Sequence, residues 1–88
     1  MPKVVLTHKV VDIERWLKGK EERAAAFAAF GTDVRDYVAM DGSNEVAVSG
    51  DIHDLEGAQA MLASPPADVV EQMESHGVVP PITAYIER

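Results

Sequence analysis

The chain has 88 residues, 15 acidic against 8 basic, a formal charge of −7 and no cysteine. That length predicts one domain, residues 1–88, with one core covering only about 60–65% of the unfolded chain's surface. With no disulfide framework to add stability, a second subunit is the natural source of further apolar contact. The acid is unevenly spread: residues 45–88 hold eight acids and Arg88 as their only base. Phosphate backbones and anionic lipids require clustered Lys and Arg, so nucleic acid and membrane are excluded as partners. Residues 1–9 contain an apolar run of only three, too short for a leader or a membrane span, which predicts a cytoplasmic protein.

In chain order, residues 4–11 alternate and are rich in β-branched side chains, predicting a strand. Val4, Leu6, His8 and Val10 share one face of it, and Val5, Thr7 and Lys9 the other. Asp12 is a good N-cap for a long first helix. Its stripe of Ile13, Trp16, Leu17, Ala24, Phe27 and Ala28 recurs near the helical period and ends at Gly31. Residues 34–40 alternate again, Asp41-Gly42-Ser43-Asn44 is a turn cluster, and residues 45–50 resume the alternation, which predicts a β-hairpin. Asp54 caps a short helix bearing Leu55, Ala58, Met61 and Leu62, stopped by Ser64-Pro65-Pro66. A further helix starts near Pro66 and runs through Val69, Val70 and Met73 to Gly77, and residues 82–86 form the last strand.

This order predicts an α+β fold of ferredoxin-like βαββαβ type, a four-stranded antiparallel sheet with its helices on one face. Val4, Leu6, Val10, Val38, Met40, Val46, Val48, Ile52, Ile82 and Ile86 are expected beneath the helices. Val5, Thr7, Arg35, Tyr37, Ala39, Ala47, Ser49, Thr83 and Tyr85 fall on the open face. That face has little charge at its centre and two tyrosines, which suits a homodimer packed sheet to sheet.

His8 is the one ionisable group on the apolar face of the first strand. A ring there serves either as a general acid/base near neutral pH or as a core histidine held by a backbone or carboxylate partner. In the plain register no acid pairs with it, although a bulge would bring Asp36 or Asp51 close. Trp16, Lys20 and Phe27 share a helical face, which reads either as the wall and charged lip of a ligand cavity or as a packing stripe with a snorkelling lysine. His76 precedes Gly77, where a helix end favours a cation, and His53 falls in a loop. Three histidines on separate elements make no metal site, and there is no phosphate loop or nucleophile elbow. Neither a metal nor a cofactor is expected.

The segments His8-Lys9-Val10 with Asp12 and Trp16, the turn from Asp41 to Val46, Gly77-Val78-Val79-Pro80-Pro81 and Tyr85-Ile86-Glu87 resemble the dimeric α/β-barrel superfamily. Within it, the chain resembles small single-domain bacterial proteins described as cyclase-like or antibiotic-monooxygenase-like, over nearly its whole length. The resemblance implies a homodimer with a ligand cavity beneath the helices of each subunit. It also implies a cofactor-independent enzyme (cyclase-, monooxygenase- or isomerase-like) acting on a small organic or aromatic substrate, with His8 as the proton shuttle. Two of the superfamily's activities do not carry over. Haem-degrading relatives use an Asn, Trp and His set in the cavity, whereas here the first strand offers His8, and Trp16 lies on another element. Polyketide cyclases can carry a histidine early in the last helix, where this chain has Asp68. The alternatives to an enzyme are a small-ligand binding protein and an interaction module with a filled core. An open apolar cavity of about 300 Å³ separates the last from the others.

Overall fold

The computed structural model describes residues 2–88. Its elements follow in the order β1 (Lys3–Val10), α1 (Ile13–Lys18), α2 (Lys20–Phe27), β2 (Gly31–Val38), β3 (Glu45–Ile52), α3 (Leu55–Ala63), α4 (Ala67–Ser75) and β4 (Val78–Ile86). The strands form one antiparallel sheet in the order β2-β3-β1-β4. With each pair of helices read as one interrupted crossover, this is the ferredoxin-like βαββαβ arrangement. No helix among the described residues is long and apolar enough to cross a membrane.

Local chemistry accounts for most boundaries. The Asp12 carboxylate accepts the Glu14 N–H at 3.1 Å to open α1, and the Asp54 carboxylate accepts from Gly57 at 3.0 Å to open α3. Asp41 accepts the Ser43 N–H at 2.9 Å in the β2–β3 turn, a hydrogen bond that holds the Asp41 carboxyl below its usual range. Gly77 ends the α4 segment at φ 75°, where a side chain would be strained.

The core lies between the sheet and the helices. Leu6, Val10, Val46, Val48 and Ile52 supply the sheet side, Ala58 comes from α3, and Trp16 is fully enclosed. Val38 and Met40, expected beneath the helices, are exposed. Both lie at the far end of an edge strand: β2 stops at Val38, and Met40 already belongs to the turn. Leu17 is likewise exposed, because the stripe expected of one long helix does not continue through Gly19.

That interruption falls where another element packs against the chain. Gly19 is both the C-cap of α1 and the N-cap of α2, and the imidazole of His76 lies against its Cα. A Cβ at Gly19 would overlap the ring itself. The first crossover is thus interrupted where His76, the C-cap of α4, comes against it. Gly19→Ala is expected to destabilise the fold by about 1–3 kcal/mol, the usual cost of overpacking, lowering Tm by roughly 4–8 °C per kcal/mol. The loss should shrink in the double variant Gly19→Ala/His76→Ala, and equal losses in both backgrounds, read by thermal unfolding, would show that the ring is not the cause.

Candidate functional site

A cavity of about 210 Å³ opens between the Leu6 face of the sheet and the helices. Phe27, Phe30, Met61, Val69 and Met73 give it apolar walls, while His8, Arg23 and His76 give it a polar end. Asp68, an exposed residue, stands at its rim.

Arg23 organises that polar end. Its side chain is 8% exposed and that of its partner Asp36 2%, with Nη2 donating to Asp36 Oδ2 at 3.1 Å. The guanidinium carbon lies 4.0 Å from the Trp16 ring centroid, a cation–π contact in a site nearly stripped of water. Nη1 lies 3.1 Å from His76 Nδ1. A guanidinium can only donate, so Nδ1 accepts and the neutral His76 ring carries its proton on Nε2, which faces Glu22 Oε2 at 3.4 Å. Arg23 Nε, Asp36 Oδ1 and Trp16 Nε1 are buried without a protein partner.

His8 sits where the sheet opens. Thr7 pairs with Thr83 and Lys9 with Val79, so His8 alone stands opposite Pro80, Pro81 and Ile82. The two prolines have no N–H to give to a ladder, and β4 is an edge strand where such an irregularity is tolerated. The ring packs edge-on to Trp16 with centroids 6.0 Å apart. Its Nδ1 lies 2.9 Å from the Lys9 carbonyl oxygen, which can only accept, so Nδ1 carries a proton and, in the neutral ring, Nε2 has the lone pair. Burial, chiefly, and the positive field of Arg23 push the His8 pKa below its ordinary value, against the Lys9 hydrogen bond, which pulls it up.

Of the residues singled out from sequence, His8 and Phe27 line the cavity, and Trp16 lies beneath its polar end as the surface on which Arg23 and His8 rest. Lys20 is exposed and does not line it, because the interruption at Gly19 ends the stripe that would have carried it there. Neither acid considered for His8 reaches it through a hydrogen bond: Asp36 binds Arg23, and Asp51 lies 3.4 Å from Lys3. His76 is not the helix-end cation expected of it. Arg15 does that work, donating to the Ser75 and Glu74 carbonyls at 2.8 and 2.7 Å, while His76 turns inward. His53 is exposed in a loop. Among the described residues no three metal-ligating side chains converge.

Arg23, Asp36 and His76 are the site residues missed from sequence. Asp36 had a signal, since it shares strand parity with Val34 and Val38 and so belongs to the covered face. An acid on such a face requires a buried cation nearby.

No family model matches the chain, and no curated protein matches it in sequence. Solved structures do match. An antibiotic biosynthesis monooxygenase superposes with a TM-score of 0.67 at 12% identity, covering 100% of this chain and 97% of that one. SnoaB, a cofactor-independent oxygenase from Streptomyces nogalater, gives 0.64 at 14% identity over 99% and 92%. Protein Atu4242 from Agrobacterium tumefaciens gives 0.68 at 14% identity over 100% and 92%.

The chain has the ferredoxin-like fold of antibiotic-biosynthesis-monooxygenase-like proteins. At these identities the likeness is one of backbone, and the side chains of the cavity are this chain's own.

The lowered His8 pKa carries a signed consequence for stability. The unfolded ring takes up a proton near pH 6.5, whereas the folded ring resists it until the pH is lower. The contribution is therefore fully present above about pH 6.5 and is lost as the pH falls through the folded value. His8→Gln should flatten that part of the curve of denaturant midpoint against pH. An unchanged slope would assign it to other groups.

Proposed function

We propose that this protein is a cofactor-independent enzyme that binds a small single-ring organic molecule in the cavity beneath its helices and begins by taking a proton from it with His8. One observation carries the reading. A neutral imidazole with its lone pair on Nε2 lines an apolar cavity, its tautomer set by the backbone and its protonation opposed by burial and a neighbouring guanidinium. Such a ring is a base, and one held in place. Proton removal is a first step that isomerisation, cyclisation and cofactor-independent oxygenation can share, so the likeness to an antibiotic biosynthesis monooxygenase and to a cofactor-independent oxygenase supports the reading without choosing among the three.

The volume limits the substrate. A cavity of about 150 Å³ lined by aliphatic and aromatic side chains holds benzene, and typical ligand sites start near 300 Å³. At about 210 Å³ there is room for one ring and a substituent. Screening single-ring aromatic compounds should find turnover, and His8→Gln should lower kcat by about 10²-fold or more with binding retained. Binding and turnover both unaffected by the change would remove His8 from the chemistry.

The working unit is a homodimer joined through the open sheet face. A shallow groove of about 700 Å³ runs over that face, walled by Thr7, Tyr37, Ala47, Val79, Pro81 and Thr83. Tyr85 is exposed beyond it, and Tyr37 shares a hydrogen bond of 2.9 Å with the buried Ser49 hydroxyl. These side chains are apolar or weakly polar, and a subunit exposing 5660 Å² has ample area for a standard interface of roughly 800 Å² per partner. Sedimentation should give a dimer at micromolar concentration, and Ala47→Arg, a charge set at the centre of the face, should give a monomer. A wild-type monomer at that concentration would overturn the assembly.

A further inference from the structure

Among the described residues, His8 is the one that lines both the cavity beneath the helices and the groove on the open face. It does so where β1 and β4 change register, between Thr7 and Lys9. On the cavity side, the titratable groups around the ring are Arg23 from α2, Asp68 from α4 and His76 at the α4 C-cap, while α1 presents only the Trp16 edge. On the groove side they are Lys9 of β1, Tyr37 of β2 and Glu45 of β3, and β4 adds only uncharged side chains. Glu45 stands opposite Lys9 in the β1–β3 ladder, so those two charges offset each other. Of the residue types lining the groove, histidine alone ordinarily changes charge between pH 5 and 8. His76 lines the cavity and His53 lies in an exposed loop, so His8 is the one histidine at the groove among the described residues.

Given the homodimer reading above, we propose that the interface on the open sheet face is controlled by protons, with His8 as the sensor: a second proton on its ring, at Nε2, releases the partner copy. A sheet seated on Thr7, Ala47 and Thr83 removes water from the groove side of the ring. The cavity side offers no anion in exchange, because Asp36 is taken up by Arg23 and Asp68 is exposed at the rim. An imidazolium is therefore worse placed in the dimer than in the lone subunit, where groove water still reaches it. Binding of a proton and binding of the second copy are then reciprocal: each weakens the other by the same factor. Burial already lowers the proton affinity of His8 in the lone subunit, outweighing the Lys9 hydrogen bond and helped by Arg23, and the dimer lowers it further. Association is thus at full strength above about pH 6.5 and weakens as the pH falls through the lone subunit's value toward the dimer's. Each dimer carries two such rings, so within that window the dissociation constant rises by up to about 100-fold per pH unit. The protonated ring has no lone pair left to act as a base, so the same proton stops the chemistry proposed for His8 and frees the face.

Sedimentation equilibrium of the wild-type chain between about pH 7.5 and pH 5 tests this, with far-UV circular dichroism to follow the fold. The dissociation constant should rise about tenfold or more over that range, and the released subunit should keep its helix signal. His8→Gln, which takes up no proton, should dimerise with one dissociation constant throughout, while His53→Gln should keep the wild-type dependence. If His8→Gln does not fold, an NMR titration of the His8 ring in the wild-type chain decides: the ring should protonate at lower pH in concentrated, dimeric samples than in dilute, monomeric ones. An unchanged dissociation constant, a pH dependence that survives His8→Gln, release only with loss of the helix signal, or one ring titration at both concentrations would overturn this inference and leave the dimer standing. A wild-type monomer at pH 7.5 and micromolar concentration would overturn both.

Discussion

A buried guanidinium constrains this small fold more than any other group. Taking a cation out of water costs several kcal/mol after relaxation, and a domain of this size has a total stability of only about 5–15 kcal/mol. Arg23 is tolerated because three elements besides its own converge on it: α1 through the Trp16 ring, β2 through Asp36 and the α4 terminus through His76. Each contact also fixes the other group. Asp36 has no place on a covered strand face without the cation, and His76 can turn inward only because Gly19 offers no side chain in its way. Ion pairs of this kind add little net stability compared with apolar packing of the same shape. Their effect here is geometric: one cationic group is aimed at one end of a cavity whose remaining walls are apolar.

The base beside it is positioned by a different device, a local failure of pairing. Two prolines in β4 withhold ladder hydrogen bonds, and the register between β1 and β4 shifts across His8. A histidine in a closed ladder at that position would have been packed like Leu6 or Val10. Opened on the β4 side, it lines the cavity while its Nδ1 still reaches the backbone of its own strand. Sheet irregularities of this sort recur beside active sites because they free a side chain without unfolding the strand.

How much of this could be read in the sequence follows from which interactions are local. The caps at Asp12 and Asp54, the turn at Asp41 and Gly42, and the helix stop at Ser64-Pro65-Pro66 act over a few residues and leave a clear pattern, so element order and fold class were legible. The close packing at Gly19 was not, since it involves a ring 57 positions away in the chain. The same holds for the inward turn of His76: nothing near it announces that Arg15 takes over the helix end. His8 and Phe27 could be found because strand and helix periodicity place a side chain on a face. Arg23 could not, because on a helix it looks like any solvated arginine until Asp36 is known to face it across the core.

The two faces of the sheet meet at His8, and this ties assembly to chemistry. The ring lines both the cavity under the helices and the groove on the open face, at the point where the β1–β4 register shifts. In a lone subunit, water in the groove can reach the ring and favour its charged form, which opposes the neutral state that burial and Arg23 impose. A second sheet seated on Thr7, Ala47 and Thr83 would exclude that water and leave the ring exposed to the cavity alone. Subunit packing would thus act on the base directly, by lowering the local dielectric around a ring whose Nδ1–H is fixed on the Lys9 carbonyl.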